Sequence, residues 1–196
     1  MRDSAMISLV VALANLGFYM LIDPLLRKDA AAKSREPSKH DKGTTQFIGV
    51  VFAVSWLVLL LSALLNQFQI GIVEPHLVFA AVGVVLIGTG VTLRVVAMQT
   101  LGKFFTRTLR MREEHQVVSD GIYRRVRHPG YLGDIVLFVG SGIAIGNVIT
   151  TVLILGVILP AFVRRISAEE QMLTDLLGQE YSNYRAKTWK LIPFIF

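Results

Sequence analysis

Apolar residues run almost unbroken through three stretches of the first hundred positions. Residues 6–22 are interrupted mainly by Ser8 and Asn15 and closed by Asp23-Pro24; residues 47–65 and 77–98 form the second and third stretches. Each approaches the ~20 residues that carry a helix across ~30 Å of hydrocarbon. Two shorter runs, 131–145 and 148–163, are separated only by Gly146-Asn147. Either alone would be a thin span, and so tight a break predicts a helical hairpin set partly inside the bilayer. Gly133, Gly140, Ser141, Gly142 and Gly156 supply small residues that let membrane helices approach closely. The pattern predicts an all-α integral membrane protein with about five transmembrane helices.

Composition agrees. Of the 196 residues 53% are hydrophobic and only 17% charged, with a mean hydropathy of +0.56, too apolar for a soluble domain of this size. The net charge of +6 does not point to nucleic acid, because the basic residues flank the apolar runs instead of interleaving with aromatics on a soluble surface. There is no cysteine, which excludes disulfides, thiolate metal sites and a cysteine nucleophile; four scattered histidines argue against a metal centre.

The placement of charge predicts an orientation. Eighteen of the twenty lysines and arginines fall in three segments: the loop after the first run, the loop 99–130 and the tail from Arg164; the loop 66–76 has none. The positive-inside bias then puts the N-terminus outside and the other two polar segments together in the cytoplasm. A signal peptide cleaved near Ala30-Ala31-Ala32 is the competing reading of the first run, but that site lies well beyond the apolar core and the basic residues follow the core instead of preceding it.

The polar segments carry the candidate chemistry. In "GIYRRVRHPGYLGD" (121–134), proline disfavours helical dihedrals at His128 and suits the first helical turn itself, so the fourth helix should start at Pro129. A basic helix start with Tyr131 as an interfacial anchor explains the same residues without chemistry. In the tail, Ser167-Ala-Glu-Glu170 fits a capping box, so a new helix should begin there and Glu170 should close its N-terminus; Gly178 is its natural stop. Glu169 lacks that role and stands one turn from Arg165, where an ion pair is its structural reading. Arg94, near the end of the third run, is expected to snorkel. The thirty-residue connector 101–130 is long for a plain loop.

Taken together, "LGKFF", "HQVVSDGIYRRVRHPGYLGD", "AEE" at 168–170 and "LGQEYSNYRAKTWKLIPF" resemble the isoprenylcysteine carboxyl methyltransferase family, which is related to membrane phospholipid methyltransferases. The resemblance covers about residues 99–194; the first two runs carry none of it. It implies methyl transfer from S-adenosylmethionine to the carboxylate of a lipid-modified cysteine. The apolar runs make residues 1–100 a three-span membrane region, and the resemblance makes residues 101–196 a methyltransferase-like region. Residue by residue, it places His115, Gln116, Val117, Val118, Tyr123, His128, Pro129, Gly130 and Tyr131 in the cofactor pocket. Glu169 and its neighbour Glu170 join them, as does Thr108, where some relatives carry glutamine. Arg165 is implied to orient the substrate carboxylate.

The residue types suit that chemistry. Carboxylates accept from ribose hydroxyls or an ammonium, aromatic faces attend adenine or a sulfonium, and an acceptor carboxylate ionised at neutral pH needs no general base. An amine acceptor would need one, with His128 or Glu169 as candidates. A phospholipid-type N-methyltransferase therefore stays open, together with a sterol-reductase-like nicotinamide enzyme and a small transporter.

Overall fold

The computed structural model describes residues 2–26, 41, 43–74, 76–105 and 117–194. The first helix, α1 (Arg2–Gly17), passes through a π-helical turn, Phe18–Ile22, into the short α2 (Asp23–Leu26). Then follow α3 (Thr44–Gln67), α4 (His76–Leu101), α5 (Pro129–Ile145), α6 (Val148–Leu177) and the short α7 (Gln179–Ala186); no strand occurs among the described residues. Among the described residues, four helical stretches are long and apolar enough to span a bilayer: Ala5–Leu26, Thr44–Gln67, His76–Leu101 and Val148–Leu177. The fifth, α5, is shorter.

That short helix is the centre of the molecule. It packs on α4, α6, α1 and α3, and most of its residues are buried. A 17-residue helix is only ~25 Å long, but neighbouring helices wrap it, so its length is not tested against lipid. The approach of α4 to α5 is set by glycines. A Cβ at Gly83 would lie 2.2 Å from the Ala144 backbone nitrogen, and one at Gly140 would lie 2.8 Å from Leu86 Cβ. Gly90 and Gly133 are as tightly placed against the partner helix's backbone. Gly156, expected to serve the same purpose, has nothing within 4 Å and faces outward.

Polar side chains tie the spans together. Asn15 Nδ2 donates to Ser141 Oγ at 2.9 Å and Asn15 Oδ1 accepts from the Trp56 indole at 2.9 Å. Asn66 Nδ2 donates to Ser8 Oγ, and Asn66 Oδ1 accepts from Asn147 Nδ2 at 2.7 Å. With no water in the hydrocarbon layer, such groups find partners on other helices. The hairpin break works as expected: Gly146 takes the left-handed conformation (φ 69°), and Asn147 caps α6 by accepting from Thr150 N–H. The predicted start at Pro129 also holds, with His128 outside the helical region at φ −124° and ψ 54°.

The tail differs from expectation. No helix begins at Ser167, because α6 runs unbroken through it to Leu177 and stops at Gly178. Ser167 Oγ donates back to the Val163 carbonyl, the pattern of a mid-helix serine, and Glu170 is not a cap. The polar chemistry of the tail therefore stands on the same rigid rod as the last span.

Candidate functional site

One cavity of about 240 Å³ opens at the end of the bundle where α5 begins, and it gathers most of the candidates. Val117, Val118, Tyr123, His128, Gly130, Tyr131, Arg165 and Glu169 all line it. Pro129 is buried at the start of α5, and Glu170 sits behind the wall. Thr108, His115 and Gln116 lie outside the described residues.

The wall is built from the α5 start and one face of α6. Tyr131 joins the two: its hydroxyl donates to Glu169 Oε2 at 2.5 Å and accepts from Arg165 Nε at 3.2 Å. Arg165 is held on its other side by the start of α3, where Nη1 donates to Asp41 Oδ1 (2.8 Å), Thr44 Oγ1 (2.6 Å) and Thr45 Oγ1 (3.0 Å). Burial alone would raise the Asp41 carboxyl. Hydrogen bonds from Thr45, Arg165 and Thr44 outweigh it and hold the group below its ordinary range. Arg165 is therefore a fixed, buried guanidinium facing a cavity.

Glu170 performs a different task from Glu169. Its Oε1 accepts from Arg127 Nε at 2.8 Å and lies 3.2 Å from His128 Nε2. Arg127 Nη1 also donates to the carbonyls of Thr188 and Arg185. The tail is clipped alongside by backbone bonds: Trp189 N–H to Arg125 O, Arg127 N–H to Trp189 O and His128 N–H to Lys190 O. Glu170, Arg127 and the tail thus lock the His128 ring, which stacks on Tyr131 at 5.8 Å between centroids. Tyr184 adds a further tie, donating to the Tyr123 carbonyl at 2.8 Å, and its hydroxyl is pushed up to about 12 by burial.

The opposite wall was not foreseen. Arg94, 6% exposed, does not snorkel: Nε donates to Asp23 Oδ1 at 3.0 Å and Nη1 to Asp134 Oδ2 at 2.6 Å. Tyr19, presented by the π-helical turn, donates to the other Asp134 oxygen at 2.6 Å. All four line the cavity. Ionisable groups inside membrane helices are costly unless paired and mark functional positions by default. That rule, applied to Arg94 together with Asp23 and Asp134, is the signal that would have found them. Ile48, Phe52, Trp56 and Phe162 make part of the cavity apolar and aromatic. It is thus polar on the side of His128, Tyr131 and Glu169 and greasy on the other, with Arg165 between.

Known proteins resemble this chain in sequence and fold. A sequence model of the isoprenylcysteine carboxyl methyltransferase family matches residues 81–175. A probable protein-S-isoprenylcysteine O-methyltransferase of Oryza sativa subsp. indica is 28% identical over 162 residues, 80% of this chain and 85% of the relative. The protein-S-isoprenylcysteine O-methyltransferase of Schizosaccharomyces pombe is 36% identical over 108 residues, 54% of this chain and 46% of that one. Among solved structures, a eukaryotic intramembrane Ras methyltransferase superposes with a TM-score of 0.62 at 25% identity, covering 76% of this chain and 52% of that chain. The chain spans about half the length of that structure. The chain is thus similar to the isoprenylcysteine carboxyl methyltransferase family in its sequence through the cavity-forming α4, α5 and α6, and it shares the helical membrane fold of the solved methyltransferase.

Proposed function

We propose that this protein transfers the methyl group of S-adenosylmethionine to the carboxylate of an isoprenylated cysteine, at the cytoplasmic face of a membrane. The observation that carries the reading is the joined cavity: a polar side at His128, Tyr131 and Glu169 continues into an aromatic side at Phe52, Trp56 and Phe162, with Arg165 at the junction. A polar donor and a lipid acceptor meet in such a place and nowhere on a soluble surface.

The donor set fits the cofactor. Glu169 offers a carboxylate to hydroxyls or an ammonium, and Tyr131 and His128 offer stacked rings. Val117 and Val118 add apolar wall, and Thr108, His115 and Gln116 complete the assigned set by family resemblance. When bound, S-adenosylmethionine supplies an electrophilic methyl group on a sulfonium. Arg165 orients the acceptor carboxylate, and its own orientation is set by Asp41, Thr44, Thr45 and Tyr131. Because Tyr131 bridges Arg165 and Glu169 through one oxygen, the acceptor-side cation and the donor-side carboxylate are held in fixed relation. The aromatic lining excludes water. A carboxylate acceptor is ionised at neutral pH, so no residue has to remove a proton, and rate comes from positioning.

Calorimetric titration of S-adenosylhomocysteine into detergent-purified protein, with NADPH as the comparison, tests this. Micromolar binding of the former, lost in His128→Ala, is expected. Binding of NADPH instead would replace the reading with a reductase, and binding of neither would remove the enzyme reading.

A further inference from the structure

Tyr181, at the start of α7, is 3% exposed, and its hydroxyl is buried without a hydrogen-bond partner among the described residues. Leaving a buried hydroxyl unpaired costs ~1–3 kcal/mol. Other tyrosines near the site do not bear this cost: Tyr19 donates to Asp134, Tyr131 to Glu169 and Tyr184 to the Tyr123 carbonyl. The other buried side-chain atom of this kind among the described residues, Thr150 Oγ1, is absent from the cavity wall, whereas Tyr181 is part of that wall.

The surroundings define what the hydroxyl would meet. Residues 165, 169, 173 and 177 recur every four positions along α6 and form one face of it. All four line the cavity, and the face changes from charged (Arg165, Glu169) to apolar (Leu173, Leu177) as it leaves the membrane-facing end. Tyr181 follows Leu177 across the Gly178 turn and closes the apolar end, with Val118 also in the wall. A slot with leucine and valine walls and an unpaired neutral donor fits a flat, uncharged ring whose edge carries acceptors. Adenine has this character, presenting ring nitrogens such as N3 and N7 as acceptors. Burial, reinforced by the Glu170 and Glu169 carboxylates, pushes the Tyr181 hydroxyl upward, so it keeps its proton as a donor at physiological pH.

We infer that the Tyr181 hydroxyl donates a hydrogen bond to a ring nitrogen of the methyl donor's purine, making Tyr181 and the Leu173–Leu177 face the base subsite of the cavity. The inference rests on the proposed methyltransferase reading, since it names the position of that donor's base.

The test is Tyr181→Phe in the full chain, with S-adenosylhomocysteine titrated into both proteins and the ligand-free unfolding midpoint measured beside it. The expected result is a five- to tenfold rise in Kd, about the value of one hydrogen bond, with the ligand-free midpoint unchanged or raised. The KM of the donor should rise while the KM of the acceptor and kcat stay constant. Among the 1-deaza, 3-deaza and 7-deaza analogues of S-adenosylhomocysteine, one should bind the wild type weakly and be indifferent to the substitution. An unchanged Kd overturns the inference. So does a Kd rise accompanied by a lowered ligand-free midpoint, which marks a structural hydroxyl, or a loss that all three analogues retain, which places the hydroxyl on another part of the ligand. Failure of the wild type to bind S-adenosylhomocysteine at all is a different result, and it falls on the methyltransferase reading itself.

Discussion

Replacing Gly90 by alanine separates packing from all other effects of a methyl group. A Cβ there would lie 2.5 Å from the Leu137 nitrogen, 2.7 Å from the Gly133 oxygen and 2.8 Å from Leu137 Cα. These are backbone atoms of α5, so no side chain can swing aside, and α4 and α5 must part to reach ordinary contact. Opening a packed interface by ~0.5–1 Å forfeits a quarter to a half of the dispersion attraction at each contact. Overpacking of this kind costs ~1–3 kcal/mol. Gly88, two positions earlier on the same helix, has nothing within 4 Å and faces outward. Gly88→Ala therefore shows only the helix-propensity gain of up to ~1 kcal/mol. Gly90→Ala has the same propensity gain, so the two variants should differ by the overpacking cost alone, roughly 1–3 kcal/mol in detergent unfolding. The effect should reach the site, because Arg94 follows Gly90 by one turn and Asp134 follows Gly133, so parting the helices stretches the 2.6 Å Arg94–Asp134 pair. S-adenosylhomocysteine affinity should fall in Gly90→Ala and hold in Gly88→Ala. Equal stability of the two variants would refute the claim that glycine contacts set this interface.

Other expectations concern single side chains. Glu169→Ala should weaken S-adenosylhomocysteine binding, while Arg165→Lys should raise the acceptor KM and leave that binding nearly unchanged, as titration and kinetics will show. Arg94→Met leaves Asp23 and Asp134 buried without their cation and should cost ~3–5 kcal/mol; adding Asp23→Asn and Asp134→Asn should recover most of it in thermal unfolding. Asp41 has a depressed folded pKa, so its contribution is complete above the ordinary carboxylate value and is lost as pH falls through the folded one. Wild-type unfolding midpoints should therefore drop below about pH 4 more steeply than those of Asp41→Asn.

What was legible in the sequence was what depends on neighbours along the chain. Long apolar runs gave the spans, Gly146-Asn147 gave the hairpin, and His128-Pro129 gave the start of α5. What depended on distant partners was not legible. Arg94 meets Asp23 and Asp134 from 71 and 40 residues away, and no local pattern encodes those distances. Asp134 stood inside the quoted motif without a role, and Tyr181 stood inside the tail motif without one. Ser167-Ala-Glu-Glu170 misled because a capping box and a mid-helix serine share the same letters; only the unbroken helix before Ser167 distinguishes them. The α3 start at Asp41, Thr44 and Thr45 carried no motif, yet it holds Arg165.

The most direct test of the central claim is a methyl-transfer assay in lipid vesicles with radiolabelled S-adenosylmethionine and N-acetyl-S-farnesylcysteine. The account predicts label on the acceptor that is released as volatile methanol by mild base, as a methyl ester must be, and that is lost in Arg165→Ala. Label that resists base and resides on an amine lipid would contradict it, because the acceptor would then be a nitrogen and the chain would need the general base that the carboxylate reading dispenses with.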